Sequence, residues 1–265
     1  MSNPEVPILG EWAKAGQLEL VMEAKYLGAF SHIGSLKTLE KHGIGPDSMG
    51  GVSAGAEILG LSAAGKTAEE IEEFVTGIRR EDVLDPDYTF GLFKGRPGLL
   101  KGLLLQEKFR EAVGDVRIQD LPRSLRISVT DIRTWSAEAV TEGDLALAIT
   151  ASSAFPGLIQ PQVMNGRLKW DGGIKDHSGL LGSPKNKRTL LIGAKPQGFR
   201  SRFDRGNAEA FEGRTNTAIV RIPGLPPVSP FNFEELGPKA IKLAMEYTEQ
   251  ALHLPVEGQF GEASP

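Results

Sequence analysis

The 265-residue sequence contains no cysteine. That absence excludes disulfides, thiolate catalysis and zinc sites built on sulfur, and it fits a reducing compartment. Histidine is scarce: His32, His42, His177 and His253 are the only four. They are scattered and the carboxylates show no ligand spacing, so no metal is expected, nor any other cofactor. No basic stretch followed by an apolar run opens the chain, and no apolar segment approaches the roughly 18 residues of a spanning helix. A cytoplasmic protein is expected, with peripheral contact at a membrane left open. Basic residues are not in excess either. The net charge is −4, which offers nucleic acid no bulk attraction. Internal repeats, low-complexity blocks and long polar linkers are also missing.

What is present suits a globular chain: 40% of residues are hydrophobic and 24% charged. Over this length they support one α/β domain spanning 1–265, with 1–16 as an N-terminal extension. Residues 17–22 read as a buried strand. Over 29–42, Phe30, Ile33, Leu36 and Leu39 recur at helical spacing, and GIGPD ends that helix. SMGGVSAG reads as a strand entering a turn, and AEILGLSAAG as the helix leaving it. Thr67 with Glu70 three places on predicts a capping box. Further along come a helix near 106–113, strands at 125–132 and 137–142, and a short helix that Pro156 stops. Strands in GRLKWDGGI and RTLLIGA and an amphipathic helix over 238–253 complete the pattern. Strands alternating with helices argue for a mainly parallel sheet covered on both faces, a three-layer α/β/α architecture.

Ser53 stands in GVSAG between Gly51 and Gly55. A serine hydroxyl is a poor nucleophile until a base takes its proton. A sharp strand-to-helix turn pushes Oγ out of the backbone and aims the positive end of the next helix at the reacting centre, and it needs small neighbours. The competing reading is a plain strand–turn–helix. His177 and His253 follow the serine, but neither context marks a triad base. His253 ends an amphipathic helix, where a surface or capping role fits, and His177 sits in a loop. Asp171 is the better partner: it ends the strand RLKWD ahead of Gly172 and Gly173. At the carboxyl edge of a parallel sheet it enters the crevice where sites form, and partial burial raises its pKa toward that of a useful base. An ordinary Asp-Gly turn is the alternative there.

GVSAGA, with ASSAFPGLIQPQVMNGRLKWDGGIKD far downstream, closely resembles the patatin-like phospholipases. That family pairs a G-x-S-x-G nucleophile motif with D-G-G or D-G-A and carries an A-S-x-A-x-P-G segment between them. The resemblance covers roughly residues 17–180. It implies the patatin fold, with Ser53 as nucleophile and Asp171 as base in a dyad that uses no histidine. It also implies acyl transfer to Ser53 from a lipid or simpler ester, then hydrolysis of the acyl-enzyme by water that Asp171 activates. Asp131, in SVTDIRT, matches a T-D at a strand end in the family and reads as structural support.

One family element has no intact counterpart. The Gly-rich loop G-G-G-x-(K/R)-G supplies backbone N–H groups for the oxyanion hole. Matched without gaps from Glu23 to Gly34, its three glycines fall on Ala24, Lys25 and Tyr26, its basic position on Gly28 and its last glycine on Ala29. Side chains at those positions resist the φ > 0 conformations that glycine allows. Loss of one oxyanion donor costs on the order of 10²–10³ in kcat. Gly28 and the Ala29 N–H are the candidates for a rebuilt hole, with Lys25 as a source of charge. Two readings stand: a serine acyl hydrolase (lipase, phospholipase or esterase), or a patatin-fold protein that binds lipid or a protein partner with little or no hydrolysis. Acyl transfer to an acceptor other than water is a third.

Segment 85–105 sets Phe90, Leu92, Phe93, Leu99, Leu100 and Leu103 beside Lys94, Arg96 and Lys101. It reads either as an apolar lid or lipid-facing edge, or as a core helix flanked by a loop. KNKR at 185–188 reads as a solvated loop before a strand.

Overall fold

The computed structural model describes residues 6–25, 28–89, 95–195, 208–228, 232–256 and 260–262. Its strands are β1 (Glu19–Met22), β2 (Ser48–Val52), β3 (Gly98–Leu100), β4 (Ser124–Asp131), β5 (Ser136–Val140) and β6 (Gly157–Ile159). They continue with β7 (Gln162–Met164), β8 (Arg167–Asp171), β9 (Thr189–Ala194), β10 (Thr217–Ile222) and β11 (Phe260–Glu262). The helices are α1 (Leu9–Lys14), α2 (Ala29–Lys41), α3 (Ala54–Ala63) and α4 (Ala68–Gly77). After them come α5 (Leu103–Val113), α6 (Leu145–Ser152), α7 (Ala208–Phe211) and α8 (Phe233–Leu252).

The main sheet runs β11-β10-β9-β1-β2-β4-β8-β7, with β5 also on β4. From β11 to β4 every pairing is parallel. β5, β7 and β8 are antiparallel additions at one end. β1 and β2 are buried along their whole length, as parallel strands covered on both faces should be. The architecture is three-layered α/β/α, and its layers are unequal. Leu20, Met22, Ile127, Leu190, Ile192 and Val220 face the large core beneath α2, α3, α6 and α8. Their alternates Val21, Leu191 and Ile219 face a small cluster with Leu180 and, from α7, Ala210 and Phe211, as the two-residue period of a strand dictates.

The small face is held by polar groups. Glu19 of β1 accepts from Arg126 Nη1 at 2.5 Å, from Thr189 and from Ser183. Arg214 donates to Ser183 Oγ and to the Leu180 and Ser183 carbonyls. Burial opposes ionisation of Glu19, yet Arg126 and these hydrogen bonds hold its carboxyl below the usual range. Asp176 accepts from Ser128, Ser178 and the Gly179 and Leu181 amides, folding 176–183 onto the sheet.

Several elements depart from the local reading. α5 begins at Leu103, earlier than 106, because the Asp85 carboxylate accepts the Gly102, Leu103 and Leu104 amides. α8 begins at Phe233, with Pro238 inside it, because Phe233 stacks on Phe30 of α2 at 6.4 Å. The basic run at 185–188 is not wholly solvated: Lys187 donates to Ser48 Oγ at 2.7 Å and the Arg188 guanidinium lies over Trp12. Thr67 and Glu70 form the capping box of α4. In segment 85–105, β3 pairs with β6 and Leu103 opens α5, while Phe90, Leu92, Phe93 and Lys94 lie outside the described residues.

The site follows from how β4 is flanked. β2 pairs with residues 124–128 of β4 and β5 with residues 127–131, so those two strands lie on opposite edges. β8 pairs with residues 129–131, the stretch β5 also spans, so it takes the edge β2 has just left. The two strands meet end to end: Val52 opposes Ser128 and Asp171 opposes the next residue, Val129.

Candidate active site

Ser53 caps α3 with φ 53° and ψ −124°. A non-glycine residue there is strained by about 1–3 kcal/mol and persists only where its surroundings impose it. Here they do. A Cβ on Gly51 would lie 2.6 Å from the Gly55 carbonyl oxygen, and one on Gly55 only 2.2 Å from that of Met22. The small neighbours therefore let α3 start directly against the end of β1. The Ser53 amide donates to Ser152 Oγ at 2.8 Å, and Ser152 Oγ donates to the Ser128 carbonyl at 2.7 Å.

The end-to-end meeting of β2 and β8 brings Ser53 Oγ within 2.8 Å of Asp171 Oδ2, to which it donates. Asp171 Oδ1 accepts the Gly173 amide at 2.7 Å. Its backbone is fixed on both sides, with N–H donating to the Ala154 carbonyl and C=O accepting from Thr130 Oγ1. Gly172 packs so closely that a Cβ would lie 2.1 Å from the Ser128 carbonyl oxygen. Asp171 is 5% exposed. Burial pushes its carboxyl up to about 6, against the lowering effect of the Gly173 and Ser53 hydrogen bonds. A carboxylate near that value accepts a proton more readily than an ordinary one.

The ASSAFPG segment touches both groups: Ser152 holds the serine amide, Ala154 holds the aspartate amide, and Ser153 Oγ donates to Glu57 Oε1 at 2.7 Å. Glu57, half-buried in the first turn of α3, is pushed up to about 7 by burial, lowered by Ser153 and raised again by the Asp171 charge. Ser152 and Glu57 were not legible as site residues. For Glu57 a signal existed: it is the single charged residue of α3, four places beyond the serine.

Of the loop residues, the Ala24 amide donates to the His177 carbonyl and the Gly28 amide to the Lys25 carbonyl. Tyr26 lies outside the described residues. Gly28 caps α2 and Ala29 is that helix's first residue, where helix geometry leaves the amide without an intrahelical partner. His32 Nε2 donates to the Glu23 carbonyl, 2.9 Å away, and burial pushes the ring down to about 4. His253 caps α8 and His42 pairs with Glu249. Asp131 is tied to Lys169 and to the Arg133 and Thr134 amides, which holds its carboxyl well below the usual range. It secures the β4–β5 turn. Among the described residues no group of three or more His, Asp or Glu is placed to hold a metal ion, and no helix is long and apolar enough to cross a membrane.

The family model described as patatin-like phospholipase matches residues 26–181. An uncharacterised NTE-family protein of Mycobacterium tuberculosis is 31% identical over 150 residues, 56% of this chain and 40% of that one. The lysophospholipase NTE1 of Eremothecium gossypii is 29% identical over 155 residues, 57% of this chain and 10% of that one. The chain thus spans about two fifths of the mycobacterial relative and far less of the fungal one. In structure it is similar to VipD from Legionella pneumophila, with a TM-score of 0.56 at 14% identity over 89% of this chain and 66% of that one; the likeness is one of fold. Since the family match extends over more than half of the sequence, the chain belongs to the patatin-like phospholipase family.

Proposed function

We propose that the protein is a serine acyl hydrolase acting on ester-linked acyl lipids, with Ser53 as nucleophile and Asp171 as base. The observation that carries this reading is the 2.8 Å hydrogen bond from a strained elbow serine to a buried carboxylate raised to about 6. As Ser53 Oγ attacks the ester carbonyl, its proton passes to Asp171 Oδ2 and the carbonyl oxygen takes the negative charge. Collapse breaks the bond to the leaving alcohol, which takes the proton from Asp171. Water then repeats the sequence on the acyl-enzyme, giving the free acid and regenerating Ser53. The positive end of α3 begins at the serine and stabilises the oxyanion. The Ala29 amide at the start of α2 is the second donor; the Gly28 amide is already engaged by Lys25. Family membership and a lysophospholipase among the relatives support a lipid substrate.

The test is hydrolysis of p-nitrophenyl acyl esters of several chain lengths by wild type, Ser53→Ala and Asp171→Asn. Both substitutions should lower kcat by roughly 10³-fold or more, the scale of losing one member of a unit that acts together. Turnover that survives Ser53→Ala would overturn the assignment. The replaced Gly-rich loop favours a second reading, a patatin-fold protein that binds lipid or a protein partner without efficient hydrolysis. Folded wild type with no turnover on any ester would establish that one instead.

A further inference from the structure

Glu57 has no part in the chemistry proposed above. It stands one helical turn beyond Ser53 on α3, and residues four apart share a helix face. Its carboxyl is anchored by Ser153, the neighbour of the serine that holds the Ser53 amide. Asp171 lies near enough for the two carboxyl groups to act on each other electrostatically. Several ionisable groups on and beside the elements packed against α3 are paired or neutral. Lys37 pairs with Glu69 and Glu72, Asp131 with Lys169, and Glu23 with Arg221, while His32 is neutral in the core. Among the described residues, the C-cap of α6 contributes the Ser153 hydroxyl and β8 the Asp171 charge.

We infer that Glu57 gates acyl transfer at Ser53: the site turns over with Glu57 neutral and Asp171 ionised, and shuts when Glu57 ionises. The inference rests on the hydrolase reading. During attack, negative charge leaves Asp171 and appears on the substrate oxygen beside the N-terminus of α3. That helix end is the compensating positive pole for the oxyanion. A second anion in the first turn of the same helix cancels it where the transition state needs it. Burial raises the Glu57 carboxyl to about 7, so that it is mostly protonated only below that pH, and the Ser153 hydrogen bond lowers it by favouring the ionised form. Activity therefore rises as Asp171 ionises, through about 6, and falls as Glu57 ionises, above about 7. The two limbs belong to the coupled pair.

The experiment is a pH profile of kcat/KM between about pH 5 and 9 for an uncharged short-chain ester, with released acid quantified chromatographically. Wild type, Glu57→Gln and Ser153→Ala are compared, and Ser53→Ala is the blank. Wild type should lose up to about tenfold per unit on the alkaline side. Glu57→Gln, neutral at every pH, should lack that fall and exceed wild type roughly tenfold or more at pH 9. Ser153→Ala removes the bond that lowers the Glu57 pKa, so its alkaline limb should move to higher pH. An alkaline limb identical in wild type and Glu57→Gln overturns the role of Glu57 alone. If Glu57→Gln does not fold, an unmoved limb in Ser153→Ala overturns it equally. Absence of Ser53-dependent turnover in wild type at every pH overturns the hydrolase reading, and this inference with it.

Discussion

Asp171 sits where its charge is costly. Its folded-state carboxyl is raised from 3.8 to about 6 by burial, so the native state binds that proton more tightly than the unfolded chain does. For an acid raised in this way the penalty is absent below about pH 4, accumulates between 4 and 6, and is complete above the folded-state value. Two units correspond to roughly 3 kcal/mol. Asp171→Asn, inactive on the proposed function, should therefore be more stable than wild type at pH 8, by up to about 3 kcal/mol, with the advantage gone near pH 4. Urea unfolding at the two pH values reads this directly; a difference that does not change with pH would mean that the aspartate bears no burial penalty. The pairing of Ser53 with Asp171 was legible from sequence through the resemblance of their two motifs to one family, since the glycines beside each residue by themselves fit ordinary turns equally well. Glu57 was not, because a lone acid on a helix normally means a solvated face. Only the fold turns that face toward Ser153 and Asp171.

At the scale of elements, the elbow depends on α3 starting in contact with β1. A Cβ at Gly55 would meet the Met22 carbonyl oxygen at 2.2 Å. That atom belongs to a central strand and cannot yield, so Gly55→Ala must push α3 and Ser53 away. The expected cost is about 1–3 kcal/mol, the usual scale of overpacking, with a loss of turnover beyond what the remaining folded fraction explains. Gly77→Ala at the end of α4, where a Cβ meets nothing within 4 Å, is the control and should change stability by no more than about 0.5 kcal/mol. Urea midpoints and turnover measured on both variants check the prediction, and equal behaviour of the two would refute the tight-junction account. Elements with local signals were legible: the apolar spacing that makes α2, the Thr67–Glu70 cap of α4, the strand before Gly51. Elements fixed from a distance were not. α5 owes its first turn to Asp85, 18 residues before Leu103, and α8 its first turn to the Phe30–Phe233 stack. The placement of β8 on the edge β2 vacates is the largest such case, since periodicity announces a strand and says nothing of its neighbour.

At the scale of the whole molecule, the segment that holds the Ser53 and Asp171 backbones leads directly into exposed apolar residues. Ser153 and Ala154 touch the Glu57 and Asp171 groups, and the next residue, Phe155, is 51% exposed. Two residues on, β6 pairs with β3, where Leu99 is 52% exposed, and Leu103 at the start of α5 is 57% exposed. A chain with a net charge of −4 has no overall attraction for an anionic surface, so approach to lipid would rest on such a local patch. On the proposed function, these exposed residues would meet the membrane from which an acyl chain reaches Ser53. The double substitution Leu99→Asp, Leu103→Asp removes two apolar anchors and adds charge that a bilayer interface rejects. Hydrolysis of lysophospholipid presented in phosphatidylcholine vesicles should fall by roughly tenfold or more, given about 1.5–3 kcal/mol per fully buried large side chain. Hydrolysis of a soluble short-chain ester should fall far less, because the Ser53–Asp171 contact is held by β2, β4 and β8. Equal losses on both substrates would mean that the two leucines serve the packing of β3 and α5 rather than contact with lipid.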